Sequence, residues 1–241
     1  MSVAKIQAEL AELANPQSAL VSQRFFKTGP GQYGAGDLFR GIRVPVLRSL
    51  AKKYQHTPLP EAEQLLRSAY HEDRLLALLL LVRFYARGNE TTKAEIYQMY
   101  LDNTPFINNW DLVDLSAEHI VGAFLWDKDR TPLYHLAQSS SLWERRIAMM
   151  ATFYFIKRGE FGETLKLAEV LLSDREDLIH KAVGWVLREV GNRDLRVEEA
   201  FLQIYCRQMP RVMLRYALEK FPAEKRAQYL KREIDAEAER G

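Results

Sequence analysis

An all-α chain, organised as an α-solenoid of HEAT-like or armadillo-like helical repeats, is the fold class that three observations predict. Helical periodicity recurs almost everywhere, while runs of strict apolar and polar alternation are missing. In the second half a basic residue followed within two positions by Ala returns on apolar helices. It reads Arg146-Ile147-Ala148, Lys181-Ala182-Val183 and Arg215-Tyr216-Ala217, at intervals of 35 and 34 residues. Stacked helical hairpins produce a period of that size, because each hairpin buries its apolar face only against its neighbours. The third observation is bulk: 241 residues, 47% of them hydrophobic, can bury a large core, although length alone does not separate one solenoid from two ordinary domains. The residues between the helices carry no linker composition, so residues 1–241 read as a single repeat domain.

In chain order, the first twenty residues hold acids and an amphipathic pattern and end at the Asn15-Pro16 break. From Val21 to Tyr54 the cations Arg24, Lys27, Arg40, Arg43, Arg48, Lys52 and Lys53 face the single acid Asp37. Residues 1–55 therefore read as a basic helical cap carrying the glycine-rich loop Gly29–Gly36. After the Pro58–Pro60 turn come inner, apolar helices at about Glu72 to Arg87, Trp110 to Leu125, Leu142 to Lys157, Asp177 to Val190 and Arg211 to Lys220. More polar helices, such as Glu90 to Asp102 and Glu160 to Leu172, lie between them. Punctuation at Gly88-Asn89, Thr104-Pro105, Thr131-Pro132, Gly159, Gly191-Asn192, Pro210 and Pro222 delimits at least ten helices of ordinary length. The charged stretch 223–241 suits a C-terminal capping helix with a solvated outer face.

Composition narrows the function classes. The formal charge of +2 is too small to argue for a nucleic-acid partner by itself, so the argument must come from local clustering. Cys206 is the lone cysteine, which excludes an internal disulfide and fits a reducing compartment with a small buried thiol. The N-terminus lacks a signal-peptide pattern, and the longest apolar run, Leu75 to Val82, is too short to span a bilayer; the expectation is a soluble, cytoplasmic protein. His56, His71, His119, His135 and His180 show no paired ligand spacing, and neither metal nor cofactor is expected. Gly29, Gly31 and Gly34 satisfy the spacing of a dinucleotide loop. No strand precedes them, however, and Pro30 lacks the N–H that a phosphate cradle needs, so they read as a loop between helices. Its flanks Lys27, Arg40 and Arg43 are suited to a phosphate backbone.

The sharpest local feature is Asn109-Trp110-Asp111-Leu112-Val113-Asp114, where Asn109 is a good N-cap and Asp111 sits in the first turn. With Val113, Ala117, Ile120, Val121 and Phe124 on the core face, Trp110, Asp114 and Glu118 form an adjacent stripe at i, i+4 and i+8. Trp110 beside Asp114 reads either as a structural contact or as a carboxylate in a cleft shielded by indole. Further on, Arg146 holds the recurring cation position, and Lys181, Trp185 and Arg188 line one helix face. Gly184 inside that helix costs roughly 1 kcal/mol relative to Ala, which points to close approach of another helix or a ligand.

The strings Trp110-Asp111-Leu112-Val113-Asp114, Trp143-Glu144-Arg145-Arg146, Ile179 to Glu189 and Pro210 to Ala217 resemble the AlkD-type DNA alkylation repair enzymes, a family of HEAT-like repeat DNA glycosylases. Gly31 to Lys53, with Gly41-Ile42-Arg43-Val44-Pro45, resembles the N-terminal portion of many members, so the resemblance covers nearly the whole chain. It implies a repeat stack that binds duplex DNA and hydrolyses the N-glycosidic bond of cationic N7- or N3-alkylpurines. On the residues that match, it implies Asp114 as the catalytic carboxylate, Trp110 and Trp185 as the aromatic pair beside the lesion sugar, and Arg146 as the cleft arginine. Phe25 stands where some members carry Tyr, so a hydroxyl contact is missing.

DNA-binding cations are then expected at Lys27, Arg40, Arg43, Arg48, Lys181, Arg188 and Arg215, with double-stranded DNA as partner and a monomer as the working state. A shallow groove between repeats favours recognition through backbone, sugar and cationic character over full flipping of the base. Two other classes fit the same sequence: a non-catalytic HEAT-like binder of distorted duplexes, and a protein-interaction scaffold meeting an acidic partner.

Overall fold

A computed structural model describes residues Ser2–Lys231. The described residues form helices joined by turns, with one isolated parallel bridge, Leu38 to Tyr70, and no strand among them. The fold class is all-α, as the periodicity predicts. Two compact units divide the chain between Phe124 and Leu125.

The first unit contains α1 (Val3–Glu12), α2 (Pro16–Phe25), α3 (Val44–Lys53), α4 (Leu59–Leu66), α5 (His71–Arg87), α6 (Glu90–Asp102) and α7 (Trp110–Asp114). A 3₁₀ turn (Thr104–Phe106) precedes α7, and a π-helical turn (Glu118–Gly122) follows it. α5 is its centre and packs against α3, α4, α6, α7 and the π turn. Leu75, Leu76, Leu78, Leu80 and Leu81 of α5 are buried, each side chain contributing about 1.5–3 kcal/mol of burial. Caps start the helices where the sequence places them: Asn15 Oδ1 accepts from Ser18 N at 2.9 Å, and Asn89 Oδ1 accepts from Thr92 N at 2.9 Å.

The second unit contains α8 (Thr131–Ala137), α9 (Leu142–Ala151), α10 (Phe153–Ile156), α11 (Gly162–Val170), α12 (Asp177–Gly191), α13 (Leu195–Tyr205), α14 (Arg211–Ala217), a 3₁₀ turn (Leu218–Lys220) and α15 (Ala223–Lys231). Here α12 is central, flanked by α9, α11, α13 and α14. Gly184 is where α14 comes closest. A Cβ there would stand 2.3 Å from Met213 O and 2.6 Å from Tyr216 Cβ, so the glycine serves helix packing rather than a ligand. Cys206 is buried and free. The part of the expected C-terminal cap beyond Lys231 lies outside the described residues.

Two expected helices are interrupted, and both breaks have a cause. The 110–125 helix divides at Ser116, whose hydroxyl donates to Leu112 O at 2.6 Å and pairs with the Tyr100 hydroxyl at 2.9 Å. A buried hydroxyl drawn both to its own ladder and to a neighbouring helix competes with the regular i to i−4 pattern, and the chain resumes as the π turn. The 142–157 helix divides at Thr152, where the amide and the hydroxyl both bond Met149 O, at 3.2 and 2.7 Å.

Candidate active site

Helix α7 is only five residues long, and its placement rests on its first turn. Asn109 is fully buried, and its Oδ1 accepts from Trp110 N at 2.8 Å. Asp111 Oδ1 accepts from Leu112 N at 2.9 Å, while Oδ2 faces His71 Nε2 at 2.8 Å. Leu112, Val113, Ala117, Ile120 and Val121 are buried, which turns Trp110, Asp114 and Glu118 to the partly open side. The indole is fixed by rings of α2 and the residue after it: Phe26 stacks on it at 5.4 Å between centroids, and Phe25 meets it edge-on at 6.0 Å. Phe25 is 62% exposed, a large apolar ring left at the surface beside the indole.

Beneath this helix lies a buried polar network seeded by the tetrapeptide His71-Glu72-Asp73-Arg74 at the start of α5. Glu72 accepts three backbone N–H groups, from Arg40 at 2.9 Å, Gly41 at 2.7 Å and Ile42 at 3.2 Å. Gly41 has φ +78° and a Cβ there would lie 2.2 Å from Asn15 O, so only glycine fits this crossing of segments. Asp73 holds Arg40 through two hydrogen bonds of 2.6 and 3.0 Å. His71, 2% exposed, sets Nδ1 at 3.4 Å from Asp37 Oδ2. Asp37 also takes the Asn108 amide at 3.1 Å and lies 2.9 Å from Arg74 Nη2.

Burial raises the Asp37 carboxyl pKa, but His71, Arg74 and Asn108 outweigh it, and the net shift is downward. Burial likewise pulls the His71 pKa down, and hydrogen bonds to Asp111 and Asp37 outweigh it, leaving the imidazole above its ordinary 6.5. His71, Glu72, Asp111, Phe26, Phe39 and Arg43 line an open cleft of about 660 Å³.

In the second unit, Arg146 on α9 is 5% exposed and its Nη1 donates to Leu178 O at 2.5 Å, in the first turn of α12. Trp185 on α12 is half-buried and meets Phe153 edge-on at 5.0 Å. Arg145, the neighbour of Arg146, is held by Asp174 at 2.6 Å and 3.3 Å.

The comparison with known proteins bears on the whole chain. The family described as DNA alkylation repair enzyme matches residues 6–221. This chain belongs to that family. A predicted DNA alkylation repair enzyme from Enterococcus faecalis has a similar solved structure, with a TM-score of 0.68 at 18% identity, covering 87% of this chain and 97% of that one. At that identity the likeness is one of fold. No curated protein matches the chain. Membership in an alkylation repair family supports a role in repair of alkylated DNA.

Several cations expected to meet DNA in this family member have other employment. Arg40 is ion-paired with Asp73 inside its unit and lies over the Tyr70 ring at 3.9 Å. Arg188 is paired with Glu219 and largely covered. Arg146 is buried, so the recurring cation does not form a uniformly exposed stripe, whereas Lys181 is half-exposed beside Asp177 at 2.6 Å. Lys27, Arg43, Arg48 and Arg215 are exposed. Lys27 adopts φ 53°, the left-handed region, as the chain turns into the glycine-rich segment. Among the described residues no group of three or more His, Cys, Asp and Glu side chains is arranged to hold a metal ion, and no helix is long and apolar enough to cross a membrane.

The residues that sequence reasoning passed over are Phe26, His71 and Asp37. The available signal was four ionisable residues in a row opening an otherwise apolar helix, a pattern that requires buried partners.

Proposed function

We propose that the protein is an alkylpurine DNA glycosylase, hydrolysing the N-glycosidic bond of cationic N7- or N3-alkylated purines in duplex DNA. The observation that carries the reading is the outward side of α7, where the half-buried carboxylate Asp114 stands one helical turn from the half-buried indole of Trp110. A purine alkylated at N7 or N3 already bears positive charge, so it departs with the bonding electrons without a protonating acid. The barrier then lies in the oxocarbenium character of the deoxyribose. A carboxylate stabilises that developing cation and orients the water that attacks C1′, as carboxylates do in glycoside hydrolysis.

The indole face of Trp110 attracts the same charge; in the second unit Trp185 is half-buried and Arg146, buried against the Leu178 carbonyl, ties α9 to the start of α12. Lys27, Arg43, Arg48 and Arg215 are exposed and suited to phosphate contacts; Lys181 adds a further one if it exchanges Asp177 for DNA. Phe25 offers ring surface without a hydroxyl, so its contribution is packing.

The test is release of free 7-methylguanine from a methylated duplex, with an undamaged duplex as control. Release from the methylated duplex alone supports the proposal. Duplex binding that weakens steeply with salt, without any release, supports instead a non-catalytic DNA binder.

A further inference from the structure

We propose that His71 is a positioning residue for α7: held as an imidazolium between Asp37 of the glycine-rich segment and Asp111 of the first turn of α7, it fixes the direction in which Trp110 and Asp114 face. The proposal rests on α7 being the reactive helix, as argued above. Its geometric core is independent of any titration. Both ring nitrogens of His71 point at carboxylate oxygens, Nε2 at Asp111 Oδ2 over 2.8 Å and Nδ1 at Asp37 Oδ2 over 3.4 Å. An ionised carboxylate only accepts, so both contacts are attractive only when both nitrogens carry protons.

The surrounding charges agree. Asp37 and Asp111 face the ring from two different elements, while Arg74, on the ring's own helix, pairs with Asp37 and opposes the imidazolium charge. Arg74 Nη2 sits 2.9 Å from Asp37 but is out of line for a hydrogen bond, so Arg74 does not satisfy Asp37 in place of His71. Glu72 and Arg43 share the same cleft, and Glu72 is occupied by the backbone of residues 40–42. The ring also touches Phe26 at 4.9 Å and Phe39 at 4.6 Å, and Phe26 stacks on Trp110, so the imidazole is coupled to the indole by a second route.

Loss of one proton turns one nitrogen into an acceptor facing a carboxylate, and one of the two ties is broken. A five-residue helix has too few internal bonds to keep its orientation once its first-turn anchor is released. Asp111 has 17% of its side chain exposed and lies on the cleft, which gives the proton a path to water.

The experiment is a pH titration of the full chain from about pH 5 to about pH 9, following the His71 ring and the Trp110 indole by NMR, beside single-turnover release of 7-methylguanine. The expected result is that the Trp110 resonance moves with the His71 midpoint, and that base release falls about tenfold through the same midpoint with little change in duplex affinity. His71→Gln should be slow and lack that alkaline limb. If His71→Gln does not fold, Asp111→Asn keeps the imidazole and should move both midpoints to lower pH. A Trp110 signal indifferent to the His71 titration overturns the proposal, as does an alkaline limb left unaltered by either variant. Absence of base release at every pH overturns the glycosylase reading instead, and the Trp110 titration then decides the clamp alone.

Discussion

Glu198 on α13 shows how one side chain couples burial to pH. It is 2% exposed, its carboxyl lies against Gly191 of α12, and its Oε1 makes no hydrogen bond among the described residues. Burial, and secondarily the charge of Glu199, push its pKa up to about 8, with Arg188 acting the other way. The unfolded chain loses this proton near 4.5, while the folded chain keeps it until about 8. Stability from this group is therefore complete below 4.5, falls as pH rises through that window, and levels off above 8. Glu198→Gln keeps the shape and removes the penalty. Urea midpoints should show the variant gaining stability over the wild type at pH 8 and losing that advantage at pH 4.5; an equal difference at both would contradict the assignment. Which of the adjacent acids Glu198 and Glu199 turns inward is invisible in the sequence, because it depends on where α12 lies. Trp110 and Asp114 were legible, since a spacing of four on an amphipathic helix fixes their common side. The role of His71 was not, because both of its carboxylate partners are more than thirty positions away.

Among the elements, apolar periodicity located α5, α6, α9, α11, α12 and α14, and Asn15 and Asn89 marked starts, whereas α2, α3, α4, α8 and α13 were not drawn by it. The break before the π turn escaped it because it needs a contact distant in sequence, Tyr100 of α6 meeting Ser116. The crossing of α12 and α14 is another contact distant in sequence, and Gly184 carries it. Gly184→Ala forces a Cβ to within 2.3 Å of the Met213 carbonyl, so the helices must separate. Helix propensity favours Ala by about 1 kcal/mol, but overpacking of this kind costs roughly 1–3 kcal/mol and backbone cannot rotate away as a side chain can. A net loss of stability by thermal or urea unfolding is expected. A stabilised Gly184→Ala protein would show that α14 moves aside without cost.

For the whole molecule, two compact helical units divide the chain, with Trp110 and Asp114 in one and Arg146 and Trp185 in the other. The near-neutral formal charge conceals a local division of labour, in which Arg40 and Arg188 are each ion-paired within their own unit while Arg43, Arg48 and Arg215 are exposed. That division was illegible in a count of cations, since an arginine and a carboxylate more than thirty residues away leave no periodic trace. In the proposed mechanism Asp114 stabilises the sugar cation. It is tested most directly by single-turnover release of 7-methylguanine from a methylated duplex by the wild type and by Asp114→Asn, with duplex affinity measured on both. The variant is expected to bind duplex within about twofold of the wild type while losing at least about a hundredfold in release rate. Release by Asp114→Asn at the wild-type rate would contradict it.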